Sequence, residues 1–253
     1  MDGFLVFPAD PERNSALYAE IMAEDTPLVF VDRYCPALAG DWVVTDNFGA
    51  SLSAVRRLIA DGRRRVAYVT TAETFCSSTQ DRRLGYGQAL LEAGLPVRPE
   101  LIRIATAPPR PEARDSARAY AAGVPDAPPL DVDAALKPLL CGRDRVDAVF
   151  CVNDWTTLAC LHTLRQAGIR VPDEVAVAGF ADNDLVTAHL PVPIVAVQQP
   201  RDEMGRRAAQ ILLDRLKGDA SGPRQVFLRA AIHEVGGAWY QPSGGAAVLG
   251  PPW

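Results

Sequence analysis

Lysine is almost missing from this chain: of its 26 basic residues only Lys137 and Lys217 are lysines. Acidic residues number 31, so the formal charge is -5 at pH 7, which argues against a strongly basic nucleic-acid surface. The five cysteines (Cys35, Cys76, Cys141, Cys151, Cys160) are odd in number and lack CxxC spacing, which excludes a disulfide framework and structural zinc. A reducing cytoplasm is the expected compartment. The three histidines (His162, His189, His233) are not spaced for metal. No apolar run approaches the roughly 18 residues of a membrane span. The opening MDGFLVFPAD has no basic segment followed by a long apolar one, so no signal peptide is expected. Catalytic signatures are missing too: no G-x-S-x-G elbow, no Walker A loop, no G-x-G-x-x-G after the first strand. Gly85-Tyr86-Gly87 falls inside a helical pattern, where packing is the simpler role. No cofactor, no metal and no enzymatic activity are expected, and a binding protein is the simpler reading.

What is present is a rhythm. A chain of 253 residues with 48% hydrophobic content can bury one large core or two small ones. Short apolar runs predict strands at Phe4–Phe7, Leu28–Val31, Trp42–Thr45, Val66–Val69, Leu101–Ile104, Ala148–Val152, Val175–Phe180 and Ile194–Val197. Helical patterns fall between them. Leu52, Val55, Leu58 and Ile59 run up to Gly62; Leu84 and Leu91 follow a Ser78/Asp81 capping box and end at Gly94. Met204, Ala208, Ile211 and Leu212 form another amphipathic face that ends near Gly218. Alternating β and α at this spacing predicts a parallel, doubly wound sheet. Two proline-rich stretches, Ala105–Pro111 and Gly123–Pro129, predict exposed loops. The arginines of RRLIADGRRR (Arg56–Arg65) surround a helix C-terminus, where cations offset the dipole.

Polar residues recur at the ends of the predicted strands. They are Asp10, Asp32, Asp46 with Asn47, Thr70 with Thr71, Asn153 with Asp154, Asp182, and Gln198 with Gln199. One such residue is a turn or a cap, a role Asn153 suits by itself. Seven strands out of eight ending this way suggest a polar rim around a small-molecule cleft, because open α/β sheets bind ligands beyond the carboxyl ends of their strands.

Four segments carry a resemblance. DNFGASLSAVRRLIADGRRRVAYVT, STQDRRLGYGQALLEAG, VFCVNDWTTLACLHTLRQAGIRVPDEVAVAGFADND and VQQPRDEMGRRAAQILLDRL resemble, in order and spacing, the lactose/galactose repressor family of transcriptional regulators. The resemblance runs from Met1 to about Gly237. It implies an α/β, two-lobed, periplasmic-binding-protein-like (type I) fold, each lobe a doubly wound parallel sheet. The first lobe would comprise residues 1–62 and 196–217 and be incomplete; the second would comprise 63–195 and 218–240, with 241–253 a tail. The ligand-binding set it implies is Arg82 of the R-L-x-G-Y segment, Asn153 and Asp154, with the rim residues Asp10, Asp46, Asp182 and Gln198. Asn153 would serve as cap and ligand contact together. The implied function is the core that binds a small effector, a sugar or related metabolite, and dimerises as a homodimer. DNA would be reached only through a helix-turn-helix that this stretch does not show, and no membrane partner is implied. A solute receptor of an uptake transporter shares the fold and is the alternative. One motif departs from the family: its G-F-D-D is here Gly179-Phe180-Ala181-Asp182, so the first carboxylate is replaced by a methyl group.

Overall fold

The computed structural model describes residues 2–11, 13–72, 76–106, 130–181, 190 and 192–236. Every one of the eight expected strands forms, because each is a short run of apolar residues with no helical period. They are β1 (Phe4–Val6), β2 (Leu28–Val31), β3 (Asp41–Thr45), β4 (Val66–Thr70), β5 (Ile102–Ile104), β6 (Ala148–Cys151), β7 (Ala176–Phe180) and β8 (Ile194–Gln198). The main helices are α1 (Ser15–Ala23), α2 (Asn47–Ala60), α3 (Ser77–Glu92), the short α4 (Asp133–Leu136), α5 (Asp154–Gln166) and α6 (Arg201–Leu216). Two further strands, β9 (Gln225–Leu228) and β10 (Ala231–Val235), were not expected. Their residues are exposed or half-buried throughout, and neither strand has a fully buried residue. Gly62 and Gly94 close α2 and α3 with φ of +92° and +68°, a conformation that side chains with a Cβ rarely adopt.

The chain divides into two compact units. The first comprises Met1–Leu52, Glu73–Gly85 and Gln199–Ala231; the second comprises Ser53–Ala72, Tyr86–Gln198 and Ile232–Trp253. The first unit holds a four-stranded parallel sheet in the order β1-β2-β3-β9. One face, with Leu28, Phe30, Trp42 and Val44, packs with Tyr18 of α1. The other, with Val29 and Val43, packs on Met204, Ala208 and Ile211 of α6. β1 lies at the edge, where Leu5 is 48% exposed.

The second unit holds a six-stranded sheet in the order β10-β8-β7-β6-β4-β5. The pairs from β8 through β5 are parallel. Its inner strands are buried on both faces, which is why they read as continuous apolar runs. On one face the rings of Tyr86, Tyr68 and Phe150 stack at centroid spacings of 5.2 and 5.7 Å. The Tyr86 hydroxyl donates to the Val66 carbonyl at 2.9 Å. Cys151 and Cys160 are fully buried here, as small apolar residues. Their mutual hydrogen bond and burial push the Cys160 thiol well above its ordinary range, which favours the neutral thiol.

The expected lobe boundaries differ from the two units at Ser53–Gly62, which falls in the second, at Glu73–Gly85, which falls in the first, and at both ends of α6. The expected boundary between residues 195 and 196 would cut β8, which belongs whole to the second sheet: it pairs with β7 through Ala178↔Val195, Gly179↔Ala196 and Phe180↔Val197. The stretch 218–240 was expected in the second lobe, but its β9 pairs with β3 of the first unit, Trp42 beside Gln225 and Thr45 beside Leu228. The reason lies in a charge cluster. Asp41, at the start of β3, accepts from Arg215 through both carboxylate oxygens at 2.8 and 2.9 Å. It also accepts from the Arg224 backbone N–H at 2.7 Å, which draws the chain after α6 back to β3. Partners 174 and 183 residues apart leave no local trace in sequence.

Candidate functional site

Arg82 is the most firmly held of the expected residues. It sits on the second turn of α3, only 7% exposed. Its Nε donates to Asn47 Oδ1 at 2.8 Å and its Nη2 to Gln199 Oε1 at 3.3 Å. The Thr45 hydroxyl donates to the same Gln199 oxygen at 3.0 Å, and Asn47 Nδ2 donates to the Thr45 carbonyl at 3.0 Å. Side chains from the end of β3, the start of α2, α3 and the stretch after β8 thus form one buried polar network in the first unit. A guanidinium taken out of water needs such partners, and its planar fork fixes their directions. Asn47 and Gln199 were recognisable as strand-end polar residues, but neither was in the expected ligand set. Only contacts across 35 and 117 residues single them out.

The approach of α3 to α2 depends on Gly85. A Cβ there would lie 2.4 Å from the Phe48 carbonyl oxygen and 2.8 Å from the Ser51 side chain. The expected packing role for this pair of glycines therefore holds at Gly85. At Gly87 it does not, since the nearest neighbour of a Cβ would be Val97 at 3.9 Å. Asp81, beside Arg82, is half-buried. Burial and then the Asp46 carboxylate raise its pKa above the usual range, and Arg82 offsets this only in part.

The carboxylates on the rim do structural work as well. Asp46 Oδ1 accepts from the Gly49 N–H at 2.8 Å and caps α2. Asp10 Oδ1 accepts from the Arg13 N–H at 2.9 Å, holding the turn before α1. Asp32, ending β2, has φ of +68°, unusual for a residue with a side chain. Next to it, Arg33 lies 4.6 Å over the Phe7 ring and donates from Nη1 to Cys76 Sγ at 3.1 Å.

In the second unit the sheet order reverses between β4 and β6: β5 lies on one side of β4 and β6, β7 and β8 on the other. Such a switch point opens a crevice beyond the strand ends. Thr70 ends β4, and Asn153 follows β6 by two residues. Asn153 is the N-cap of α5, with its Oδ1 accepting from the Thr156 N–H at 2.9 Å and the Thr156 hydroxyl at 3.1 Å. Its backbone N–H is bonded in turn to the Thr156 hydroxyl at 3.0 Å, a complete capping box. The Asn153 Nδ2 has no hydrogen bond to any described residue. Asp154 is a half-buried acid in the first turn, where the dipole favours it. Gln198 ends β8, half-buried. Asp182 lies outside the described residues.

Ala181, at the departure from the family pattern, is 2% exposed and packed into the core of this unit. The preceding Gly179 is a packing glycine: a Cβ would meet Thr157 Oγ1 at 2.7 Å and Cys151 at 2.9 Å. Three of the arginines around the end of α2 are committed to partners within the second unit. Arg64 Nη1 donates to the Ile59 carbonyl at 2.7 Å, Arg57 Nε to Asp61 at 3.0 Å and Arg56 Nε to Glu92 at 2.8 Å. Among the described residues no helix is long and apolar enough to cross a membrane.

Comparison with known proteins agrees with this architecture. The model of the periplasmic binding protein-like domain family matches residues 55–234. The HTH-type transcriptional regulator CelR of Thermobifida fusca is 34% identical over 191 residues, 76% of this chain and 50% of CelR. The HTH-type transcriptional repressor PurR of Aliivibrio salmonicida is 26% identical over 93% of this chain and 66% of its own length. A solved CelR–cellobiose complex superposes with a TM-score of 0.74 at 29% identity, covering 93% of this chain and 65% of that one. The chain thus spans half to two thirds of the length of these relatives. It belongs to the periplasmic-binding-protein-like domain family, with the core found in transcriptional regulators of the lactose/galactose repressor family.

Proposed function

We propose that this chain is the effector-sensing core of a transcriptional regulator, that its effector is a sugar or related small metabolite, and that it is not an enzyme. The observation that carries this reading is the Arg82–Asn47–Gln199–Thr45 network. A buried guanidinium held on two side-chain amides at strand ends is a preorganised site for hydroxyl or carbonyl groups. Asn153 supports the reading from the second unit: its oxygen is spent on the cap while its amide nitrogen remains available to a ligand. Asp10, Asp46, Asp154 and Gln198 complete the two rims, with Asp182 a candidate outside the described residues. Relatives point the same way: CelR is solved with cellobiose, and the curated relatives are named as transcriptional regulators. In this reading the core works as a homodimer in the cytoplasm. DNA is contacted through a helix-turn-helix outside these 253 residues.

The test is a thermal-shift and calorimetric titration against a panel of sugars, nucleosides and nucleobases. A true effector at about 100 times its Kd adds roughly 2.7 kcal/mol of stability to the unit it binds. No shift with any compound at millimolar concentration counts against the reading. Sedimentation showing only monomer at micromolar concentration counts against the dimer.

A further inference from the structure

Gly87 lies inside α3, where glycine is among the least favourable residues a helix can hold. Unlike Gly85, it is not required by its own chain: a Cβ there would meet only Val97 Cγ2, at an ordinary 3.9 Å. The same helix carries Leu84 and Leu91, 61% and 62% exposed, the two most exposed large apolar side chains among the described residues. They stand three residues before Gly87 and four after it, so all three share one stripe of the helix. Val97, itself exposed, borders that stripe. Packing within the chain explains neither the glycine nor the leucines. A second helix would explain both, since the leucines offer apolar surface to bury and the glycine a flat place where a backbone can cross closely.

The stripe is its own complement. About the midpoint between Gly87 and Gln88, the outward-facing residues run Arg83, Leu84, Gly87, Gln88, Leu91, Glu92. An antiparallel copy turned about that midpoint sets Leu84 against the other copy's Leu91 and Gly87 against the other copy's Gln88. It also sets Arg83 against the other copy's Glu92, whereas a parallel copy would set arginine on arginine and glutamate on glutamate. Arg83 is exposed and bonds to no described residue. Glu92 is held in place by Arg56 Nε at 2.8 Å and Gln88 Nε2 at 3.0 Å, with 35% of its side chain still exposed. A two-fold contact makes each of these pairs twice. We propose that this stripe of α3 is an interface between two copies of this chain, packed antiparallel about a two-fold axis beside Gly87. The inference goes beyond the effector-binding reading and stands or falls separately from it.

The experiment is analytical ultracentrifugation of the whole chain over a concentration series, on wild type, Leu91→Glu, Gly87→Ala and Arg83→Glu, each variant first shown folded by its melting curve. Wild type is expected to self-associate. Leu91→Glu puts a carboxylate into both halves of the contact and weakens association about 100-fold, which halves the mass at micromolar concentration. Gly87→Ala holds the helices apart and weakens association about tenfold. Arg83→Glu weakens it at low salt and by less at high salt, because exposed charges are screened. Wild type that is monomeric throughout overturns the interface. A self-associated mass that Leu91→Glu and Gly87→Ala both leave unchanged overturns it too, and places the contact between copies on another face, so that the homodimer reading survives. The effector titration of the preceding section is decided independently of either result.

Discussion

Asn153 is the residue at which structure and recognition can be separated by single substitutions. Its Oδ1 accepts from the Thr156 N–H at 2.9 Å and the Thr156 hydroxyl at 3.1 Å, whereas its Nδ2 bonds to no described residue. Asn153→Asp keeps an acceptor for the cap and deletes the donor. Asn153→Ala deletes both. Losing a cap costs about 1 kcal/mol of stability, so Asn153→Ala should melt roughly 2–4 °C lower. Asn153→Asp should melt within about 1 °C of wild type: a negative charge at a helix start is worth about 0.3–1 kcal/mol, and repulsion from the neighbouring Asp154 works against that gain. Binding should divide the variants differently. If Nδ2 donates to the effector, both lose that bond, about 0.5–1.5 kcal/mol or roughly 2- to 12-fold in affinity. Asn153→Asp should lose more, because its carboxylate meets the effector's own lone pairs. Calorimetry with the tightest-binding sugar, set beside melting curves, reads both properties. Unchanged affinity in Asn153→Asp would remove Asn153 from the binding set. An Asn153→Asp melt as low as that of Asn153→Ala would mean that the oxygen does not hold the helix start.

Three further outcomes are expected. Arg82→Lys removes the fork that reaches Asn47 and Gln199 together; losing charge-assisted contacts of about 1.5–3 kcal/mol should weaken effector binding roughly 10- to 150-fold, and unchanged affinity in calorimetry would sink the assignment. Asp81 has a raised pKa, so the folded state holds its proton more tightly than the unfolded state; its contribution to stability falls as pH rises from the ordinary carboxylate range through the raised pKa. Asp81→Asn should therefore be more stable than wild type at neutral pH and lose that advantage in acid, and equal denaturation midpoints at both pH values would refute the burial argument. Gly85→Ala should destabilise by about 1–3 kcal/mol through its 2.4 Å clash with the Phe48 carbonyl, while Gly87→Ala, with nothing nearer than 3.9 Å, should gain about 0.5–1 kcal/mol of helix propensity; denaturant melts of the pair check the contrast.

The sequence by itself determined what is local. Apolar runs such as Val66–Thr70 and Ala148–Cys151 are legible as strands because both their faces are buried, and the switch to helical period after Asn153 marks the end of β6. Cap chemistry is local as well, and the capping box at Asn153 and Thr156 spans only three residues. Motif order was enough to bring the family into view. The tertiary structure decided everything that depends on partners far apart in the chain. It assigned β8 to one sheet and β9 to the other, through strand register and through Asp41 meeting Arg215 and Arg224. It turned Arg82 from a motif residue into the centre of a network with Asn47 and Gln199, and it distinguished Gly85, which a neighbouring backbone requires, from Gly87, which none does. It also divided the rim, committing Asp46 and Asp10 oxygens to a helix cap and a turn while leaving the Asn153 amide nitrogen without a bond to any described residue. The physical reason is one of range. Periodicity and capping act within a few residues of the chain, whereas hydrogen-bond partners and close approaches are set in space, where sequence separation leaves no pattern to read.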